Sequence, residues 1–385
     1  MTKILIDGVF FQLNNTGIAR VWKTILSIIA KWNVFDIYFL DRGNAPIIDG
    51  VCYIPFPKYQ SCYCPADSML IQNICDFYKI DAFTSTYYTT PINTPMLLMV
   101  HDMIPEIFDF DLTVRGWMEK EIAISYAQRY LCISYNTRND LLTFYPEIPE
   151  HHVSVAYCGI DRNTFYPRIK SEIISFKNKF ECQKPFFLFV GSRTQHNGYK
   201  NSSIFFDAFL ELGCANFDIL SVGGEKEIDP EILKRLPSGV SCKRVELTDD
   251  ELGIAYSSAH ALVYPSLYEG FGMPVIEAIA CGCPVITTHH GSLAEAAGDA
   301  ACLISGTSME EMKNALIKIS DPNYRQILRT KGIEQAGKFN WETMAKSLVN
   351  NLEILLSQAR SGKYEKFFAE WKRLRTIQSE VDFLV

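Results

Sequence analysis

Short apolar runs alternate with helix-length amphipathic stretches along most of this chain, and that alternation limits the fold more than any other feature. Runs at Lys3–Asp7, Asp36–Leu40, Cys52–Phe56, Ala82–Tyr87, Met96–Val100, Tyr130–Ser134 and Val153–Tyr157 read as strands. The stretch from Ile18 through Val21, Trp22, Ile25 and Ile29 has helical spacing, with Thr16 as its predicted N-cap, and further helices are predicted at Gly116–Gln128 and Thr137–Phe144. Strands that alternate with helices predict a mainly parallel sheet covered on both faces. A polar, proline-containing stretch from Asp161 to Lys170 interrupts the pattern, and a second series follows it. Its strands are predicted at Phe186–Val190, Asp218–Val222, Ala261–Tyr264 and Val285–Thr287, with helices at Ser203–Leu212, Asp249–Ser257 and Pro274–Cys281. The expectation is an α/β chain of two domains, residues 1–165 and 166–345, with a helical extension over 346–385.

Composition narrows the function. With 48% hydrophobic and 21% charged residues the chain is globular, and a net charge of -7 argues against a binder of duplex nucleic acid. Twelve cysteines are scattered; Cys62-Tyr-Cys64 and Cys281-Gly-Cys283 have one residue between ligand candidates, which suits zinc poorly. Asp7 interrupts the first apolar run, so Met1–Leu13 does not read as a signal peptide, and no run nears the ~18 apolar residues of a membrane span. The sequence therefore reads as cytosolic, with reduced thiols. In the tail, Lys363–Arg375 interleaves bases with Tyr364, Phe367, Phe368 and Trp371; it either packs back on the first domain or meets an anionic membrane surface as a peripheral contact.

The stretch Tyr264-Pro-Ser-Leu-Tyr-Glu-Gly-Phe-Gly-Met-Pro-Val-Ile-Glu-Ala carries the chemistry. A strand ends at Tyr264, Gly270 and Gly272 let the backbone approach a ligand, and Pro274 opens a helix that Gly282 closes. The Met273–Ile276 amides are expected at a positive helix end, suited to a phosphate. Glu269 lies before that loop and Glu277 one turn inside the helix, so one carboxylate reaches beyond the phosphate and the other can take vicinal hydroxyls. A second anchor, Phe186–Val190 followed by Gly191-Ser192-Arg193 and Tyr199-Lys200-Asn201, puts two cations after a strand, as a diphosphate clamp requires. A third apolar strand ends in His101-Asp102, where open α/β sheets hold ligands.

These motifs resemble family 4 (group 1) retaining glycosyltransferases, whose GT-B fold has two Rossmann-like domains facing across a cleft. The resemblance is good over about residues 90–345 and rests on the paired glutamates, the Val-Gly-Ser-Arg…Tyr-Lys-Asn segment, Cys132–Leu141, Tyr157–Asp161, Val245–Leu252 and Phe339-Asn-Trp-Glu342. It implies that Glu269 meets the donor sugar, Glu277 the ribose, and Arg193 and Lys200 the diphosphate, with His101 facing the sugar. It further implies that Gly17 lines the ligand cleft, that the segment with Val245 and Leu247 reads the base, and that Gly270, Phe271, Gly272, Met273, Pro274 and Val275 cradle the nucleotide. Retention follows from the family, by front-face attack. No cofactor or metal is expected; the partners are a nucleotide-sugar donor and a carbohydrate or lipid-linked acceptor. His-Asp-Met-Ile-Pro resembles mannosyltransferase members, which favours GDP-mannose over UDP-sugars. The rivals are a phosphorylase-like enzyme, whose pyridoxal-bearing lysine motif is absent, and a non-catalytic sugar- or nucleotide-binding module. Asp109-Phe-Asp111, His151-His152 and His289-His290 read as surface polar groups, and Gly223-Gly224 as a turn.

Overall fold

The computed structural model describes residues 1–14, 17–60, 65–193, 198–213 and 215–382. The predicted cap Thr16 and the loop residues 194–197 lie outside them. The chain forms two compact units, one of Met1–Tyr157 with Trp341–Val385 and one of Cys158–Asn340.

In the first unit the strands are β1 (Lys3–Asp7), β2 (Asp36–Asp41), β3 (Val51–Pro55), β4 (Ala82–Ser85), β5 (Leu97–Val100), β6 (Arg129–Cys132) and β7 (Val153–Val155). All pairings are parallel, in the orders β3-β2-β1-β4 and β5-β6-β7, and a bridge between Phe83 and Met96 connects the two sets. The second unit has β8 (Phe186–Val190), β9 (Asp218–Val222), β10 (Cys242–Val245), β11 (Ala261–Tyr264), β12 (Val285–Thr288) and β13 (Ala301–Ile304), all parallel in the order β10-β9-β8-β11-β12-β13. Each sheet grows outward in both directions from its first strand, so the strand order reverses beside β1 and beside β8. Crevices at such reversal points, at the carboxyl ends of the strands, are where open α/β sheets bind ligands.

Near-continuous apolar strands are what burial on both faces requires. Phe186, Phe187, Leu188 and Phe189 are all buried, as are Leu97 to Val100. Two strands were not predicted, β10 and β13. Both are edge strands: Lys243 and Arg244 break the apolar run of β10, while β13 is only four residues long, with Leu303 exposed.

The unit boundaries differ from the expected 165/166 and 345/346. Phe165 packs on Tyr256 and Arg162 donates to the Ala336 carbonyl at 2.8 Å, so residues from Cys158 onward belong to the second core. The helix Trp341–Arg360 belongs wholly to the first unit. There Asn351 Oδ1 accepts from Arg129 Nε at 3.1 Å and from Ser154 Oγ at 2.9 Å.

The last helix, Glu365–Asp382, turns its aromatics inward. Phe367, Phe368 and Trp371 lie 5.9, 6.1 and 5.3 Å from the Tyr126 ring, and Tyr364 is buried. The aromatic face that an anionic-surface contact would need is therefore committed to the first unit's core. No helix among the described residues is long and apolar enough to cross a membrane. Trp371→Ala is expected to lower the free energy of urea unfolding by about 2 kcal/mol, while Leu374→Ala on the exposed side of that helix changes it by less than about 0.5 kcal/mol. Equal effects of the two changes would contradict this packing.

Candidate functional site

The second unit's reversal point lies between β8 and β11, and the loops that leave these two strands carry Lys200 and Glu269. Lys200 Nζ donates to Glu269 Oε1 at 2.6 Å and to the Tyr264 hydroxyl at 3.2 Å, and Tyr264 donates to the same carboxylate oxygen at 2.8 Å. The lysine and glutamate side chains keep 23% and 12% of their exposure, so the triad is held but reachable. Burial pulls the Lys200 ammonium down, and the carboxylate of Glu269 with the two flanking tyrosines more than reverses this, so the net shift is upward. Lys200 is a permanent cation at neutral pH. Burial, with Glu269 next, pushes the Tyr264 phenol up, which keeps it a neutral donor.

Backbone constraints fix the triad. Asn201 adopts a left-handed conformation (φ 51°), and its amide donates to Pro265 O at 3.2 Å and Gly306 O at 2.7 Å. Leu267 N–H bonds Tyr199 O at 2.6 Å, tying the two loops together. A Cβ on Gly291 (φ +58°) would lie 3.1 Å from both N and O of Glu269, and Ser292 Oγ donates to that carbonyl at 2.8 Å. Close backbone contact of this kind is open only to glycine.

After Glu269 the chain turns through Gly272 (φ +93°) into the helix Met273–Ala280. The expected row of amides is shorter than predicted. Pro274 has no N–H, and the Val275 and Ile276 N–H groups both bond Gly272 O, at 2.9 and 3.3 Å. Gly272 and Met273 are the positions left to present an amide to a phosphate. The Phe271 side chain is buried, edge-on to Phe339 at 5.4 Å. Glu277 is 2% exposed in an otherwise apolar stretch of helix, where the Tyr256 hydroxyl donates to it at 3.3 Å. A buried carboxylate among apolar neighbours is expensive unless function retains it.

Arg193 does not join Lys200. Its guanidinium donates through one nitrogen to Ser221 Oγ at 2.7 Å and Gly223 O at 2.8 Å, and through the other to the carbonyls of Glu225 and Glu227. Its own N–H bonds the Glu225 carboxylate at 2.6 Å, which Ser192 Oγ also meets at 2.5 Å. Burial raises the Glu225 carboxyl, but Ser192 and the Arg193 amide outweigh it and hold the group down at about 2. The two cations predicted to form one clamp thus have separate partners in this structure. The arginine is taken by the Gly223–Glu227 turn because that turn presents carbonyls with no strand to pair with. A Cβ on Gly224 would stand 2.4 Å from Gly191 O, so the glycine pair packs the β9 turn directly on the β8 turn. Val245 ends β10 beside this turn, its carbonyl accepting from Gly223 N–H at 3.1 Å, and half-buried Leu247 leads into the Thr248–Glu251 capping box.

In the first unit His101 follows β5 directly. It is 4% exposed, and its Nε2 is buried without a partner. Burial, with Lys120 adding to it, pulls the imidazole down to about 3. Asp102 caps the following turn, accepting from Ile104 N–H at 3.0 Å, rather than orienting the histidine. Gly17 is the first described residue of the helix Gly17–Trp32, with open space where its Cβ would be. Asp111 bonds Thr113 within its own turn, and no group of three metal-ligating side chains occurs among the described residues. His290 Nε2 bonds Ser305 O at 2.7 Å, a structural contact. Sequence reading missed Tyr264, Asn201 and Gly291. The available signal for Tyr264 was its place as the last residue of a buried strand.

The depressed His101 pKa has a stability consequence. The unfolded chain takes a proton near pH 6.5 that the folded chain refuses until about pH 3, so stability is present above pH 6.5 and is lost as pH falls through this window. Between pH 7.5 and 4.5 this group alone removes about 2–3 kcal/mol. Denaturant unfolding of His101→Gln is expected to lose that much less than the parent protein over the same range; parallel pH curves would contradict a neutral buried imidazole.

Residues 184–321 match the family described as glycosyl transferases group 1. Among curated proteins the chain is similar to O-antigen chain mannosyltransferase B of Escherichia coli, at 34% identity over 108 residues, 28% of each chain. It is also similar to O-antigen chain mannosyltransferase RfbU of Salmonella typhimurium, at 25% identity over 242 residues, covering 61% of this chain and 64% of that one. These matches thus span less than two thirds of the relatives' lengths. Among solved structures it shares its fold with sucrose-phosphate synthase of Thermosynechococcus elongatus, with a TM-score of 0.71 at 18% identity, over 93% of this chain and 100% of that one.

Proposed function

Because this chain belongs to the group 1 glycosyltransferases and has the GT-B fold, we propose that it transfers a sugar, with retention, from a nucleoside-diphosphate sugar to a hydroxyl of a glycan or lipid-linked acceptor. The observation that carries this reading is the Lys200–Tyr264–Glu269 triad at the carboxyl ends of β8 and β11. A donor diphosphate at that edge competes with Glu269 for the ammonium, and the amino end of the 273–280 helix adds partial positive charge. As the glycosidic bond to phosphate breaks, negative charge grows on the leaving diphosphate, and Lys200 stabilises it where it develops. Glu269, released from the lysine, accepts from sugar hydroxyls and orients the ring, and Glu277 takes the ribose. His101, neutral at working pH, leaves an uncharged hydrogen-bonding nitrogen at the carboxyl end of β5 in the first unit. Arg193 supports the reaction indirectly by holding the Gly223–Glu227 turn.

Retention is assigned to front-face attack through a short-lived oxocarbenium-like species, with the departing phosphate accepting the acceptor's proton. Charge neutralisation by Lys200 and the helix end is the basis for proposing transfer without a metal ion. The mannosyltransferase relatives and the His-Asp-Met-Ile-Pro stretch favour GDP-mannose as donor. The cysteines among the described residues are free and mostly buried, which suits a reducing compartment, so the cytoplasm is the proposed site of action.

The test is release of nucleoside diphosphate by the purified protein from a panel of GDP- and UDP-sugars, with a chelator present. Turnover of one donor is expected to survive chelation. Lys200→Ala and Glu269→Gln are each expected to reduce kcat by roughly 10²–10³-fold in folded protein. Absence of turnover and binding for every donor would sink the reading, and activity restored only by magnesium or manganese would sink its metal-free form.

A further inference from the structure

The opposite, amino-terminal edge of the second unit's sheet holds a cluster that the proposed transfer reaction does not use. His260 stands just before β11, with its N–H on Phe186 O at 2.8 Å and its ring against Phe187 and Phe217, at 5.3 and 4.6 Å. The β11–β12 register, Leu262 opposite Val285, sets His260 across from Cys283. The helix Pro322–Ala336 crosses this edge. Gly332 lies against Ile279, its Cβ position 3.1 Å away, and stepping back three and seven residues brings Arg329 and Arg325 onto the same helical face. Leu328 and Tyr324 enter the hydrophobic cluster that contains Ala261 and Phe187, which anchors the two arginines beside His260.

This cluster has an excess of positive charge, and no acid among the described residues forms an ion pair with it. Neither arginine forms an ion pair among the described residues, and the Asp321 carboxylate one turn earlier caps its own helix through Asn323 N–H at 2.8 Å. Three buried nitrogens lack any partner here: Nε of Arg325, Nε of Arg329 and Nε2 of His260, the last on a side chain only 8% exposed. Two like charges one turn apart repel, and buried donors left unsatisfied are unfavourable, so the arrangement is explained by a ligand that supplies negative oxygens. Forked guanidiniums match a tetrahedral oxyanion better than a point charge does. Burial and the neighbouring arginine both pull each of His260 and Arg325 down, as such crowding requires.

We infer that Arg325, Arg329 and His260 form a second anion site, for the phosphate group of orthophosphate or of a small phosphomonoester. It lies about 13 Å from the Lys200 edge by strand rise, and so is separate from the donor site.

The experiment occupies the donor site first, with saturating nucleoside diphosphate, and then titrates orthophosphate and glycerol 3-phosphate against chloride of equal ionic strength, by calorimetry and by thermal unfolding. Saturable binding and a raised Tm are expected for at least one of them. The tighter of the two identifies the source as free phosphate or ester. Arg325→Gln with Arg329→Gln is expected to weaken that binding at least tenfold, while its Tm in chloride alone equals or exceeds the parent's, because a repulsion is relieved. If the pair of changes prevents folding, Arg329→Gln alone carries the same readouts. The inference is overturned by an absence of saturable binding beyond the chloride control, by equal binding in the variant, or by a variant whose Tm in chloride is clearly lowered, which would mark the arginines as structural.

Discussion

The ion pair between Lys200 and Glu269 is the contact on which the rest of the second unit's active edge depends. It joins the loop after β8 to the loop after β11, and Tyr264 completes it from the strand end itself. A pair this close, with both partners partly exposed, is tight enough to fix two loops and accessible enough to be broken by a ligand of higher charge. A diphosphate is such a ligand. In the proposed reaction the resting pair shields a carboxylate that would otherwise repel the donor, and the donor's arrival would free that carboxylate for hydroxyl contacts.

Parallel strands explain why the proposed chemistry is assigned to this edge. In both sheets the order reverses beside the first strand, and the adjoining loops diverge to either side of it. In the second unit glycine makes the crowding at that edge possible. Gly291 admits the Glu269 backbone, Gly224 lies on Gly191, and Gly272 turns the chain into the 273–280 helix. The same geometry explains the changed role of Arg193. Its partners are turn carbonyls, which a long planar donor can gather from several directions, whereas Lys200 has one carboxylate and one hydroxyl.

Much of this was legible in the residues. Apolar runs such as Phe186–Val190 leave few alternatives to a buried parallel strand, and glycine, proline and glutamate placement between 264 and 282 marked a strand, tight loop and helix start. What was not legible has physical reasons. The Val275 and Ile276 amides read as free because Pro274 reads as the first helical position, yet the helix starts at Met273, so the carbonyl of its N-cap Gly272 receives both. The helix Pro65–Tyr78 was missed because Met69, Leu70 and Phe77 are apolar but exposed, which blurs its periodicity. In the tail, Phe367, Phe368 and Trp371 fit a core or a lipid surface equally well by pattern. Only Tyr126, more than two hundred residues earlier, decides between them.

The central claim is that Lys200 exchanges Glu269 for the donor's diphosphate. The direct measurement is a crystal structure of the protein with a bound, non-hydrolysable donor analogue. The account predicts Lys200 Nζ within hydrogen-bonding distance of a phosphate oxygen, and the Glu269 carboxylate turned onto sugar hydroxyls. A complex in which the 2.6 Å Lys200–Glu269 contact persists while the phosphates lie elsewhere would contradict it.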